Sequence, residues 1–187
     1  MIVAVLAGGR GSRLGGAKPT AVLGGEPLLA RVLRAASGFE PVVVAKRDTV
    51  LPPLDVPVWI EPDEPFHPLT GLVTALERGP CVAVACDQPW VTGELLSALM
   101  AARAVASVNG EYDPFPGYYD PAQLPVLREA LTEEAGLRRT LARLAPPRLD
   151  VDPQLVASVN TPEALAAAER RLSRAVLERL DAREAQP

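Results

Sequence analysis

The stretch Leu6-Ala7-Gly8-Gly9-Arg10-Gly11-Ser12-Arg13-Leu14-Gly15-Gly16-Ala17-Lys18 decides how this chain of 187 residues is read. It follows directly on Met1-Ile2-Val3-Ala4-Val5, an apolar run with the character of a buried strand. Five of its thirteen residues are glycine, so its backbone can turn N–H groups inward on an anion. Arg10, Arg13 and Lys18 add cations to the same loop. The chain has seventeen arginines but only two lysines, Lys18 and Lys46, so a lysine here is unlike its background. The combination predicts a cradle for the phosphates of a nucleotide.

Three readings of the loop compete. A dinucleotide fingerprint needs Gly-x-Gly-x-x-Gly, whereas Gly9-x-Gly11-x-x-x-Gly15 is one residue too long. Neither Glu26 nor Glu40 stands at the end of a second strand, where that fingerprint wants its acid. A P-loop needs Gly-Lys-Ser/Thr opening a helix, but Lys18 precedes Pro19, which disfavours the α region. The third reading fits nearly throughout: the loop resembles the nucleotidyltransferase signature Leu-x-Gly-Gly-x-(Gly/Ser)-x-Arg-(Leu/Met)-Gly-x-x-x-Lys-Pro.

Working outward, the chain alternates short apolar runs with helical patterns. Strands are predicted at 1–5, 41–45, 56–60 and 81–85, with helices at 27–36, from 69 to 76 and at 93–102. That order predicts an α/β fold with a right-handed, mostly parallel, doubly wound sheet. Beyond residue 102, strands at 105–108 and 116–119 add an antiparallel section at one edge. Helices at 122–131 and 136–144 and a strand at 148–151 follow. Thr161 as N-cap and Pro162 at the first helical position open a long last helix with an apolar stripe Leu165, Ala168, Leu172, Val176 and Leu180. The expectation is a single domain over 1–187, with about 181–187 frayed.

Composition narrows the function. Apolar residues make up 48% and aromatics only 4%, so the core is built from Ala, Val and Leu. A net charge of −4 argues against a nucleic-acid groove or an anionic membrane surface as partner. No leader and no long apolar run stands out, which predicts a cytoplasmic protein. Cys81 and Cys86 lack metal-site spacing and read as buried free thiols.

In an open parallel sheet, ligands bind beyond the carboxyl ends of the strands, where the strand order reverses. The loop after the first strand and Asp87 after the fourth both belong to that edge. A glycine-rich anion cradle and a carboxylate at one crevice predict a Mg²⁺–nucleotide site, because that hard cation takes carboxylate and phosphate oxygens together. Lys18 and the Mg²⁺ on Asp87 would offset charge on the α-phosphate, and Arg13 would grip the departing pyrophosphate. Gly9, Gly11 and Ser12 belong to the same nucleotide-binding loop.

With Cys86-Asp87-Gln88-Pro89 and Ser158-Val159-Asn160-Thr161-Pro162-Glu163, the first loop resembles the molybdenum cofactor guanylyltransferase family of the nucleotidyltransferase superfamily. The resemblance spans about positions 2 to 170. It implies a three-layer Rossmann-like nucleotidyltransferase fold, and transfer of GMP from Mg·GTP onto the terminal phosphate of molybdenum–molybdopterin with release of pyrophosphate. It implies backbone contacts from Leu6, Ala7 and Gly8 to the nucleotide, Lys18 on its phosphates, Asp87 on Mg²⁺, and Asn160 near the molybdopterin. Transient contact with other molybdenum cofactor proteins is a further implication.

The family's Glu-Asp pair after the third strand reads here Glu61-Pro62-Asp63, and a one-residue shift nominates Asp63 as the guanine reader. Its Gly-Pro-Leu-Ala-Gly stretch reads His67-Pro68-Leu69-Thr70-Gly71, Ala45 replaces an asparagine after the second strand, and Ser158 replaces another in the late motif.

His67, the only histidine, reads as a surface loop residue, Trp59 and Trp90 as packing residues, and Glu133-Glu134 as a solvated helix start. The phosphate nucleophile is already anionic near neutral pH, which suits a site without a catalytic histidine. Alternatives are a cytidylyltransferase on the same cofactor, a guanylyltransferase on another phosphorylated acceptor and, from a different class, a non-catalytic GTP-binding module.

Overall fold

The computed structural model describes residues 1–9 and 18–184, with side chains as far as residue 175. Its centre is a seven-stranded sheet whose middle includes the all-apolar runs 2–6 and 81–85 of the sequence. In chain order the strands are β1 (Ile2–Leu6), β4 (Glu40–Ala45), β5 (Val58–Ile60), β6 (Cys81–Ala85), β7 (Val105–Val108), β8 (Glu111–Tyr119) and β9 (Arg148–Asp150). Two short strands, β2 (Val22–Leu23) and β3 (Glu26–Pro27), form a separate hairpin. The helices are α1 (Leu28–Ala35), α2 (Pro68–Leu76), α3 (Gly93–Ala102), α4 (Leu124–Thr132), α5 (Leu137–Leu144) and α6 (Pro162–Glu184).

The sheet order is β5-β4-β1-β6-β8-β7-β9. β5, β4, β1 and β6 pair in parallel, β8 runs antiparallel between β6 and β7, and β9 pairs in parallel with β7. The antiparallel section is therefore a single strand set inside that half of the sheet, and the edge itself is parallel. From β1 the chain steps outward through β4 to β5 and then returns to β6 on the other side of β1. The strand order reverses there, so a crevice opens beyond the carboxyl ends of β1 and β6.

Residue alternation sends each strand's side chains to two cores. Val3 and Val5 of β1, with Val82 and Val84 of β6, pack under Leu29 and Val32 of α1 and Leu95, Leu96 and Leu99 of α3. Ala4 and Ala83 face the opposite core with Leu69, Leu72 and Leu76 of α2, Leu127 of α4 and Leu141 of α5. The result is a three-layer α/β arrangement. Thr92 and Thr161 cap α3 and α6 through bonds that their hydroxyls accept from Leu95 N at 3.2 Å and Ala164 N at 3.1 Å.

Two features differ from the expectation. The β2–β3 hairpin turns through Gly24 (φ 58°) and Gly25 (φ 81°), both in the left-handed region that glycine takes without strain. A third cluster, Leu23, Leu28, Val159 and Ala168 with Leu165 and Leu172, packs α6 onto that hairpin. Glu169 accepts the Gly24 N–H at 2.8 Å, and a Cβ at Gly24 would lie 2.1 Å from Leu172 Cδ2. The second feature is β8, which starts at Glu111, five residues earlier than residue 116. Pro114 interrupts the pattern before the expected start, since proline cannot donate to a ladder. The pairing to β7 jumps from Val105↔Gly117 to Ser107↔Tyr112, so residues 113–116 bulge out of the ladder.

Candidate active site

The carboxyl ends of the four parallel strands supply one cleft of about 840 Å³. From β1 come Leu6, Ala7, Gly8 and Gly9; from β4, Lys46; from β5, Glu61; from β6, Ala85 to Gln88. The β8 bulge brings Asp113, Pro114 and Phe115 to the opposite wall, and Ser158 and Asn160 close one end.

Lys18 opens a short 3₁₀ turn (Lys18–Thr20) with Pro19 buried beneath it. Its Nζ donates to Asp87 Oδ2 at 2.7 Å, across 69 residues of sequence. The two side chains keep 23% and 11% of their surface, enough to meet a ligand. The Asp87 carbonyl accepts Val159 N–H at 2.7 Å, which draws the Ser158–Glu163 stretch to the cleft and sets Asn160 in its lining. Gln88, buried, accepts Ala85 N–H and donates to Val156 O at 3.0 Å and to Phe115 O. One amide thus ties the end of β6 to the bulge and to the loop before α6. In the sequence Gln88 is only one member of the Cys86–Pro89 motif, because its role depends on partners far along the chain.

A second ion pair lies deeper. Lys46 Nζ stands 3.3 Å from Glu61 Oε1, with the two side chains only 4% and 6% exposed. The ammonium also donates to Pro62 O at 2.5 Å and lies 4.4 Å from the Phe66 ring centroid. The Glu61 carboxylate is seated between two glycines. A Cβ at Gly8 would come 2.0 Å from Oε1, and one at Gly71 2.5 Å from Oε2. Burial pushes the Glu61 carboxyl above its ordinary value, while the Lys46 charge and hydrogen bond pull it back. Asp113 is raised as well, first by burial, with the Phe115 N–H and Arg138 opposing and Asp87 adding.

The structure thus brings together Leu6, Ala7, Gly8, Gly9, Lys18, Asp87 and Asn160. Gly11, Ser12 and Arg13 lie outside the described residues, as does Arg10. Asp63 is exposed and does not line the cleft; the acid of that segment which does is Glu61. His67, half-buried, lines the cleft and caps α2, its Nδ1 accepting Leu69 N–H at 3.2 Å. Cys81 and Cys86 are buried free thiols pushed up to about 12, so they stay protonated at neutral pH. Among the described residues no group of three or more His, Cys, Asp or Glu side chains could enclose a metal ion. A cation on Asp87 would draw its other ligands from phosphates and water, the arrangement Mg²⁺ favours.

A family model described as the MobA-like NTP transferase domain matches residues 3–149. The chain belongs to this family. It is therefore a nucleotidyltransferase, and its glycine loop, Lys18 and Asp87 fall inside the matched span. The molybdenum cofactor guanylyltransferase of Rhodobacter capsulatus is 32% identical over 184 residues, covering 90% of this chain and 94% of that protein. A probable molybdenum cofactor guanylyltransferase of Thermococcus gammatolerans is 32% identical over 169 residues, covering 81% and 87%. Among solved structures, molybdopterin-guanine dinucleotide biosynthesis protein A from Archaeoglobus fulgidus superposes with a TM-score of 0.76 at 24% identity, over 93% of this MobA-like chain and all of that one. The 2-C-methyl-D-erythritol 4-phosphate cytidylyltransferase of Thermus thermophilus gives 0.67 at 19% identity, over 93% and 100%, which shows the fold alone. Among the described residues no helix is long and apolar enough to cross a membrane.

Proposed function

We propose that this chain transfers GMP from GTP to the terminal phosphate of molybdenum–molybdopterin, releasing pyrophosphate, in the cytoplasm and as one nucleotidyltransferase domain. The observation that carries the reading is the 2.7 Å pair of Lys18 and Asp87, one from each side of the crevice where a triphosphate would lie. The names of relatives at about 32% identity support guanine and the molybdenum cofactor.

In this reading Leu6, Ala7, Gly8 and Gly9 meet the nucleotide through their backbone, with Gly11 and Ser12 continuing the cradle. Asp87 holds Mg²⁺, which would supply Lewis-acid charge on the phosphates. An oxygen of the acceptor phosphate attacks the α-phosphorus, the bond from that phosphorus to the bridging oxygen breaks, and pyrophosphate carries away the charge. Lys18 offsets the charge gathering at the α-phosphate and Arg13 that on the leaving group. Positioning and electrostatics do most of this work. The acceptor phosphate is already ionised, so no base is needed. Asn160 stands on the acceptor side with the β8 bulge. Contacts with other molybdenum cofactor proteins would be transient.

The test supplies each NTP with Mg²⁺ and molybdopterin and measures pyrophosphate. GTP should outperform CTP, ATP and UTP, and omission of Mg²⁺ should stop release. A preference for CTP would turn the assignment to a cytidylyltransferase. Undiminished cellular activity in Lys18→Ala, with no pyrophosphate released from any NTP in vitro, would point to a non-catalytic GTP-binding module instead.

A further inference from the structure

Both lysines of the chain line the cleft, each paired with a carboxylate, and only the Lys18 pair is used by the reaction above. We infer that the Lys46–Glu61 pair selects guanine, with Lys46 donating to O6 and the Glu61 carboxylate accepting from N1–H and the 2-amino group. The inference rests on the GTP reading and deepens it, moving base recognition from Asp63 to Glu61.

The atoms of the pair have an order. The closest approach of Lys46 Nζ is to Oε1, and Oε2 lies on the Gly71 side, so the row runs donor (Nζ), acceptor (Oε1), acceptor (Oε2). The complement is acceptor, donor, donor, which is guanine's edge of O6, N1–H and 2-NH₂. Cytosine and adenine put an acceptor where Oε1 needs a donor, and uracil puts O2 against Oε2. An ammonium has three N–H groups: Lys46 uses two on Glu61 and Pro62, and the third has the Phe66 ring, with its centroid 4.4 Å from Nζ, as the weaker partner that O6 would replace.

The carboxylate's position is set by close approach. Glu61 follows the end of β5 and Gly8 follows β1, where the sequence predicts that nucleotide contacts begin. With Gly8 on one side and Gly71 of α2 on the other, the carboxylate fills the space where two side chains would begin. Asp63 is exposed and has no comparable seat. The pair is also buried enough that a base reaching it would meet hydrogen-bonding groups with little competition from water.

The test is calorimetric binding of Mg·GTP, Mg·ITP and Mg·CTP, which reads recognition apart from catalysis. ITP keeps O6 and N1–H but lacks the 2-amino group. The intact protein should bind GTP about ten- to hundredfold more tightly than ITP, the range expected for one hydrogen bond to a charged acceptor. Glu61→Gln should bring that ratio close to one. So should Gly71→Ala, which suits a helix and displaces the carboxylate without removing it. Lys46→Met should weaken GTP and ITP alike, since both carry O6, and Asp63→Asn should leave the ratio intact.

Equal binding of GTP and ITP by the intact protein overturns the assignment, whether or not any variant folds. A full GTP preference in folded Glu61→Gln, or its loss in Asp63→Asn, overturns it while leaving the GTP reading standing. A preference of the intact protein for CTP overturns both.

Discussion

The cleft holds two lysine–carboxylate pairs that differ in almost everything but chemistry. Lys18–Asp87 joins the segments that follow β1 and β6, is short at 2.7 Å and is partly open to solvent. Lys46–Glu61 joins those after β4 and β5, is longer at 3.3 Å and is nearly closed off. An open pair can exchange partners when a phosphate or a cation arrives. A closed pair is held by its surroundings and can present a fixed row of donors and acceptors. The difference goes with strand position: the open pair stands at the reversal of strand order, after β1 and β6, and the closed pair toward the β5 edge of the sheet.

The strongest way to break the comparison is through stability. Lys46→Ala leaves the Glu61 carboxylate buried without its cation, and chemical denaturation should show a loss of about 3–5 kcal/mol. The double change Lys46→Met with Glu61→Leu should recover most of that loss, since no unpaired charge is left behind. Lys18→Ala should do the reverse of the single change. Its cost in folding should be about 1 kcal/mol, because solvent reaches the pair. Its cost in kcat/KM should be about 3 kcal/mol, on the order of a hundredfold, by analogy with the loss of one transition-state donor.

The smallest expected effect is in pH. The folded Glu61 carboxyl titrates above its ordinary value of 4.5, so the stability it contributes is fully present below that value and is lost as pH rises through the folded pKa. Melting of the intact protein and Glu61→Gln across acidic to neutral pH should show the intact protein's relative advantage shrinking as pH rises. A gap that widens with pH would mean that Lys46, not burial, governs this carboxyl.

The same contrast separates what the sequence reveals from what it conceals. β1, β4 and β6 are legible because strands buried on both faces are apolar runs, and α3 and β7 match their expected limits. Lys18 and Asp87 are legible as members of one cleft because a scarce residue stands in the long loop after β1 and an acid just past the end of β6. The β2–β3 hairpin is too short to show a pattern, and Leu172 and Glu169 of α6 hold it from 145 or more residues away. β8 is masked by prolines that its bulge accommodates. Glu61 is hidden for a related reason. The family pattern, shifted by one residue, nominates Asp63, but the seat of Glu61 is made by Gly8 and Gly71, neither of which is its neighbour in the chain.

The grip of α6 on the Gly24 turn also bears on how the protein is made. Ala21 N–H bonds the Lys18 carbonyl and Leu28 N–H bonds the Ala21 carbonyl, so the hairpin and the lysine are mechanically one piece. That piece meets its support only when residues 165 to 172 exist. A chain still emerging from the ribosome can pair its first strands early, yet it gains a firmly set phosphate hand only once α6 has been made.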